Sequence, residues 1–326
     1  MSKNILITGG AGFIGARLAL YLQEKFLNSD ITVFDTFYDG VKLPNGNLKY
    51  LGTFKNLKKF KGRVVCGDIC NPFDLKQIEG IKFDIIFHLA AISDTRVEEQ
   101  SQIFRNNINS FNYFIELAKK LNAKLVYASS AAVYGNSKQK SLKLGDENPE
   151  SAYAFSKFAM DNIAKSIIKS NIDIQIIGLR YFNVYGFGEQ HKGKTSSTIL
   201  QFANQIMDGI SPTLFKGSEK IFRDFVYIDD IIQGTVKAAF SDANGIFNLG
   251  SGVSRSFMEV LNLIQKKLGT DMPVNLIDNP YNSGYQFYTE ADITETIDQL
   301  NYIPEFSLED GISNYLDILI KKYDYT

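Results

Sequence analysis

The run Asn4–Thr8 (NILIT) passes directly into Gly9-Gly10-Ala11-Gly12-Phe13-Ile14-Gly15, so a short apolar strand must turn into a helix through glycines. Glycines allow a tight turn, a close approach of backbone to phosphate, and packing of the helix on the strand. The N–H groups and dipole at the start of the helix suit that turn to an anion. Asp35 closes a second apolar run 20 residues beyond Gly15, where an acid meets a ribose hydroxyl. A dinucleotide site is therefore expected at Gly9, Gly12, Gly15 and Asp35. Further apolar runs, Val64–Gly67, Asp84–Leu89, Lys124–Ser129 and Ile174–Arg180, alternate with helical stretches such as Phe13–Phe26, Gln100–Leu121 and Tyr153–Lys169. Strands apolar on both faces, separated by helices, predict an α/β fold with a doubly wound parallel sheet. Its ligands should lie at the carboxyl ends of the strands.

After Arg180 the rhythm breaks, with loops and a helix near Ser196–Met207, before Phe225–Phe240 and Gly245–Gly250 read as a return to the sheet. The expected division is a dinucleotide-binding domain of residues 1–181, 227–253 and 299–326, with a smaller discontinuous substrate lobe of 182–226 and 254–298. The 35 basic and 36 acidic side chains leave a net charge of −1, and thus no global field to hold nucleic acid or an anionic membrane. Lys49–Arg63 carries six positive charges and no acid; it reads as a solvated surface helix and turn. Cys66 and Cys70 are too few for a disulfide framework or a zinc site and read as buried free thiols, and two histidines make a metal centre unexpected. Neither a signal peptide nor a membrane span is recognisable, which points to the cytoplasm.

Tyr153 and Lys157 stand at i and i+4, one turn apart on one helix face. A phenol is a poor base at neutral pH, and a neighbouring ammonium stabilises its phenolate. Ser130 closes a strand 23 residues earlier, placed to hydrogen-bond both a substrate hydroxyl and the phenol. Together with the glycine turn, this set points to hydride chemistry.

The phrase TGGAGFIG, Gly67-Asp68-Ile69, His88-Leu89-Ala90-Ala91 and the Ser130/Tyr153/Lys157 set resemble the extended short-chain dehydrogenase/reductase family. That resemblance implies a Rossmann-type fold, with Ser130, Tyr153 and Lys157 catalytic. Its implied cofactor residues are Gly9, Gly12, Phe13, Ile14, Gly15, Asp35, Thr36, Lys42, Asp68, Ile69, Leu89, Ala90, Ala91, Asn106, Tyr153, Lys157 and Val184. Where the dehydratases of the family carry an Asp-Glu pair after the serine, this chain has Ala131-Ala132, which leaves oxidation, reduction or epimerisation.

The segments Arg180–Gly193, Leu214–Glu219 with Arg223–Tyr227, and Tyr285–Asp292 resemble the branch of the family that epimerises ADP-linked glycero-manno-heptoses at C6 for lipopolysaccharide or surface-glycan synthesis. The resemblance implies a second acid/base at Lys192, opposite Tyr153. It implies nucleotide-sugar contacts at Ser93, Asn183, His191, Lys194, Gln201, Phe215, Lys216, Gly217, Ser218, Arg223 and Tyr285. It also implies a homo-oligomer and NADP, with NAD as the alternative. Arg96, Lys194 and Gln201 depart from the pattern near the sugar. Alternative outcomes for the same set are a nucleotide-sugar 4-epimerase or a GDP-heptose 4-dehydrogenase, for which Tyr153 alone suffices. A catalytically silent protein on this fold is the remaining alternative.

Overall fold

The computed structural model describes residues 2–323 except 138, 140, 171 and 280–285. Its strands are β1 (Asn4–Thr8), β2 (Asp30–Asp35), β3 (Arg63–Cys66), β4 (Ile85–His88), β5 (Lys124–Ser130), β6 (Ile176–Tyr181), β7 (Asn183–Tyr185), β8 (Thr213–Phe215), β9 (Phe222–Tyr227), β10 (Gly245–Leu249), β11 (Ser254–Ser256) and β12 (Asn275–Ile277). Seven of them form one parallel sheet in the order β10-β6-β5-β4-β1-β2-β3. Within β1, Ile5 and Ile7 enter one core and Leu6 the other, because successive side chains of a strand point to opposite faces. Helices cover both faces, so neither row meets water. Chain order reverses between β1 and β4, and a ligand crevice opens there, beyond the carboxyl ends of the strands.

Smaller sheets flank this layer: β9 pairs antiparallel with β11 and parallel with β7, and β8 pairs parallel with β12. Here the structure corrects the sequence reading. Phe222–Tyr227 joins the three-stranded sheet instead of the central one, and Ile228–Phe240 is a helix whose first turn carries Asp229 and Asp230, acids that favour a helix N-terminus. Of Lys49–Arg63, Phe54–Leu57 forms a 3₁₀ turn capped by Thr53, whose own N–H donates to Ala11 O at 3.0 Å. Both cysteines are free but exposed: Cys66 ends the edge strand β3 and Cys70 lies in the turn beyond it. Gln100–Leu121 is interrupted by a π turn over Arg105–Asn109. Asn106 and Asn107 there turn inward to accept the Ile92 N–H at 3.0 and 2.9 Å. Among the described residues, no helix is long and apolar enough to cross a membrane.

Phe87 lies in β4, at the centre of the sheet, with no exposed surface. Phe87→Ala should cost ~3–5 kcal/mol of stability, checked by urea unfolding.

Candidate active site

The crevice holds a cavity of about 550 Å³ lined by β1, β2, β4 and β5 at their carboxyl ends. Gly9 takes φ +69°, and a Cβ on it would lie 2.8 Å from the backbone of Ala90. Glycine is therefore required where β1 passes β4. The helix Phe13–Lys25 starts at Gly12 with no side-chain cap and no acid in its first turn, so its N–H groups face the cavity free to meet an anion. That uncapped terminus fits a pyrophosphate. Asp35 is buried; Oδ2 accepts the Ala11 N–H and Oδ1 the Phe37 N–H, each at 2.9 Å. Burial raises its pKa, while these backbone donors lower it.

Across the cavity stands the polar set. Ser130 ends β5, where its Oγ accepts the Ala132 N–H at 3.1 Å. Tyr153 and Lys157 lie on the helix Ala152–Lys169, which Ser151 caps by accepting the Ala154 N–H at 3.1 Å. Lys157 Nζ donates to Ala128 O at 2.8 Å and lies 6.0 Å from the Tyr153 ring centre. Burial raises the Tyr153 phenol and a hydrogen bond with Ser130 pulls it back. The i, i+4 spacing alone argues for a lowered phenol; burial outweighs it here. Burial pushes Lys157 down to about 8, against the opposing charge of Asp161.

Lys192 also lines the cavity, its Nζ 5.6 Å from the Phe13 ring centre. Burial lowers its pKa and Glu189 opposes that shift. His191 beside it faces Asn56 Nδ2 through Nδ1 at 3.3 Å, and burial holds its ring down to about 4.

The cavity gathers Gly9, Gly12, Phe13, Ile14, Gly15, Asp35, Thr36, Asp68, Ile69, Leu89, Ala90, Ala91, Asn106 and Val184 with Ser93, Ser130, Tyr153, Lys157, Asn183, His191 and Lys192. Other expected residues stand outside its lining. Lys42 is exposed on a short hairpin, whereas Lys49, seven residues on, reaches the wall. Lys194 is exposed, and Gln201 Nε2 donates to Ser196 O at 2.8 Å. Phe215 closes β8, Lys216 pairs with Asp278 at 2.9 Å, and Gly217 takes φ +83° before a buried Ser218. Arg223 donates to Phe222 O at 2.9 Å and to Gln286 O, its guanidinium 5.6 Å from the Phe257 ring centre; it supports the wall from behind. Tyr285 lies outside the described residues. Sequence reasoning missed Lys49–Gly52, Asp94, Thr195–Thr198, Phe225, Phe257 and Gln286, which line the cavity from loops and distant elements with no local pattern to mark them. Among the described residues, no group of three or more His, Cys, Asp or Glu side chains can hold a metal ion.

The fold and the polar set define a nucleotide-dependent epimerase or dehydratase: residues 5–250 match the NAD dependent epimerase/dehydratase family, and the chain belongs to it. Its relatives include the ADP-L-glycero-D-manno-heptose-6-epimerase of Brachyspira hyodysenteriae, 33% identical over 98% of this chain and 99% of that one. Among solved structures, the ADP-L-glycero-D-manno-heptose-6-epimerase of Helicobacter pylori superposes with a TM-score of 0.88 at 40% identity, over 98% of this chain and 96% of that one. The UDP-glucuronic acid 4-epimerase of Bacillus cereus, in complex with UDP-glucuronic acid and NAD, gives 0.84 at 27% identity, over 98% and 100%. The chain is thus an NAD(P)-dependent epimerase by family.

A Cβ on Gly15 would collide with Gly9 O and Gly10 Cα. Gly15→Ala should therefore cost ~1–3 kcal/mol and displace the glycine turn, seen as a lower melting temperature and loss of bound dinucleotide in the released-cofactor absorbance.

Proposed function

We propose that this protein interconverts the two C6 epimers of an ADP-linked glycero-manno-heptose, supplying heptose donors for lipopolysaccharide or a related surface glycan. The carrying observation is that Tyr153 and Lys192, two proton-bearing side chains from separate elements, line one cavity with the dinucleotide cradle. Relatives at 33% and 40% identity that bear the heptose-epimerase name support the choice of sugar.

A bound nicotinamide supplies reversible hydride acceptance and return at one carbon. Gly9, Gly12 and Gly15 would hold its pyrophosphate, Asp68 and Ile69 its adenine, and Leu89–Ala91 the wall beside its nicotinamide half. On the chain's side the work is proton transfer and orientation. Ser130 orients the sugar hydroxyl and hydrogen-bonds Tyr153, whose phenolic oxygen takes or returns the hydroxyl proton in one epimer. Lys157 stabilises the phenolate. In the other epimer the hydroxyl points away from Tyr153, and Lys192 is its proton partner. Burial lowers the Lys192 pKa, which favours a lysine that both gives and takes a proton. Asn183, Ser93 and His191 contact the sugar or diphosphate from the wall. Residues 182–226 and 254–298 form the lobe that recognises the nucleotide sugar.

NADP is the favoured dinucleotide. The Asp35 carboxylate is engaged with the amides of Ala11 and Phe37, which reduces its repulsion of a ribose phosphate, and Lys49 brings a cation to the same wall. Mass spectrometry of the dinucleotide released on denaturation should find NADP; NAD alone would overturn this choice.

Purified protein incubated with ADP-D-glycero-D-manno-heptose, without added cofactor, should form the L-glycero epimer, followed by NMR. Conversion of a UDP- or GDP-sugar at C4 instead would refute the reading. Tyr153→Phe should lower turnover by roughly 10²–10⁴-fold with the fold intact. Lys192→Met should block interconversion of the heptose epimers while sparing one half-reaction, so that an aldehyde analogue, whose disproportionation uses one base for oxidation and the other for reduction, should no longer disproportionate. Retention of epimerisation within about tenfold of wild type would exclude the second proton carrier, since one such group is worth roughly 10²–10⁴-fold.

A further inference from the structure

Lys157 is 2% exposed, and its Nζ donates to Ala128 O at 2.8 Å. A carbonyl dipole does not neutralise a buried ammonium, which needs a counter-charge. The helix Ala152–Lys169 carries one acid, Asp161, four residues beyond Lys157 and so on the same face. Asp161 is fully buried and held at both oxygens: Arg180 Nε donates to Oδ2 at 2.8 Å and the Tyr127 hydroxyl to Oδ1 at 2.9 Å. Arg180, also fully buried, donates onward to Glu147 at 2.6 Å and to the Tyr134 hydroxyl at 2.9 Å, and Lys165 meets Glu147 at 3.1 Å. Positive and negative groups thus alternate from Lys157 through Asp161, Arg180 and Glu147 to Lys165 near the surface.

We propose that Asp161 is a positioning residue of the active site: clamped by Arg180 and Tyr127, it is the buried counter-charge that holds the Lys157 ammonium against Ala128 and beside Tyr153. This rests on the role given to Lys157 above. The surrounding groups keep their state through neutrality. His88 on β4 bonds Thr8 Oγ1 at 2.9 Å and is held neutral, down to about 3, by burial and by the Lys157 charge. Burial pushes Tyr127 on β5 well above the usual phenol value and raises Tyr153, while the Asp161 carboxylate keeps Arg180 on β6 above its usual value despite burial. Glu147 is held at about 2 by Arg180 and Lys165 against its burial. Burial raises Asp161, and Arg180 opposes that shift. Lys157, pushed down to about 8 by burial with Asp161 opposing, is then the lysine of this cluster moved towards neutral pH.

A lysine is charged below its pKa, and removing a nearby negative charge lowers that pKa, so the ammonium is lost at lower pH. Lys157 in [¹³C]lysine-labelled protein, assigned with Lys157→Met, reports this by NMR whether or not a substrate is found. In Asp161→Asn its midpoint should fall by about one pH unit or more, a tenfold loss of the charged form above the midpoint. The alkaline limb of kcat should move down with it, and Asp161→Glu should restore most of the shift. Asp161→Asn leaves Arg180 short of a partner, so the pair Asp161→Asn/Arg180→Gln, neutral at both positions, is measured beside it; because it also removes a positive charge from the cluster, its midpoint should fall by less than that of Asp161→Asn but still lie below wild type. An unmoved Lys157 midpoint in either folded variant would overturn the assignment. Unfolding of both would overturn it too, because Asp161 would then serve the fold. Wild-type protein inactive on the ADP-heptose but with the midpoint shift present would refute the proposed substrate and leave the assignment standing.

Discussion

Everything at the ligand crevice depends on how closely β1 and β4 pass at the glycine turn. A side chain on Gly9 would meet the backbone of Ala90, and one on Gly15 the carbonyl of Gly9. Removing the Cβ atoms lets the helix Phe13–Lys25 begin directly over the strand ends, with its N–H groups uncapped and aimed into the cavity. The same approach brings Leu89–Ala91 to the cavity wall. Asp35 then locks the turn from the neighbouring strand by accepting the Ala11 N–H.

The polar face of the cavity solves the opposite problem, since it brings ionisable groups into a dry place. Lys157 is buried at the end of β5, where Ala128 O accepts one hydrogen bond from it and leaves its charge unanswered. Sheet and helix answer jointly. Tyr127 and Arg180 project from β5 and β6 to fix a carboxylate one turn along the helix. Such buried pairs add little net stability but make the position of each member costly to change. A site that must hold a phenol, a hydroxyl and an ammonium in register gains from that stiffness.

The strands of the central sheet were legible because their cause is local. Runs such as Ile85–Phe87 are apolar at every position, and that pattern has one explanation in a chain where helices intervene. The Tyr153–Lys157 pair was legible for the same reason, as helical spacing fixes its geometry. The π turn at Arg105–Asn109 was not, because it is imposed by two asparagines reaching 14 and 15 residues back to Ile92. Nor was Phe222–Tyr227: it carries Arg223 and Asp224 side by side, and which sheet it joins depends on partners at Asn183–Tyr185 and Ser254–Ser256.

By itself the sequence determined the α/β architecture, the glycine cradle and the Ser130/Tyr153/Lys157 set, since steric freedom at glycine and the periods of helix and strand act between near neighbours. Tertiary structure alone decided that Lys49 and not Lys42 reaches the cavity, that Arg223 stands behind Phe257 and Gln286, and that both cysteines are exposed. It alone paired Arg180 with Asp161 and Glu147. Loop paths and the burial of charge are set by contacts between residues far apart in the chain, and no local period records them.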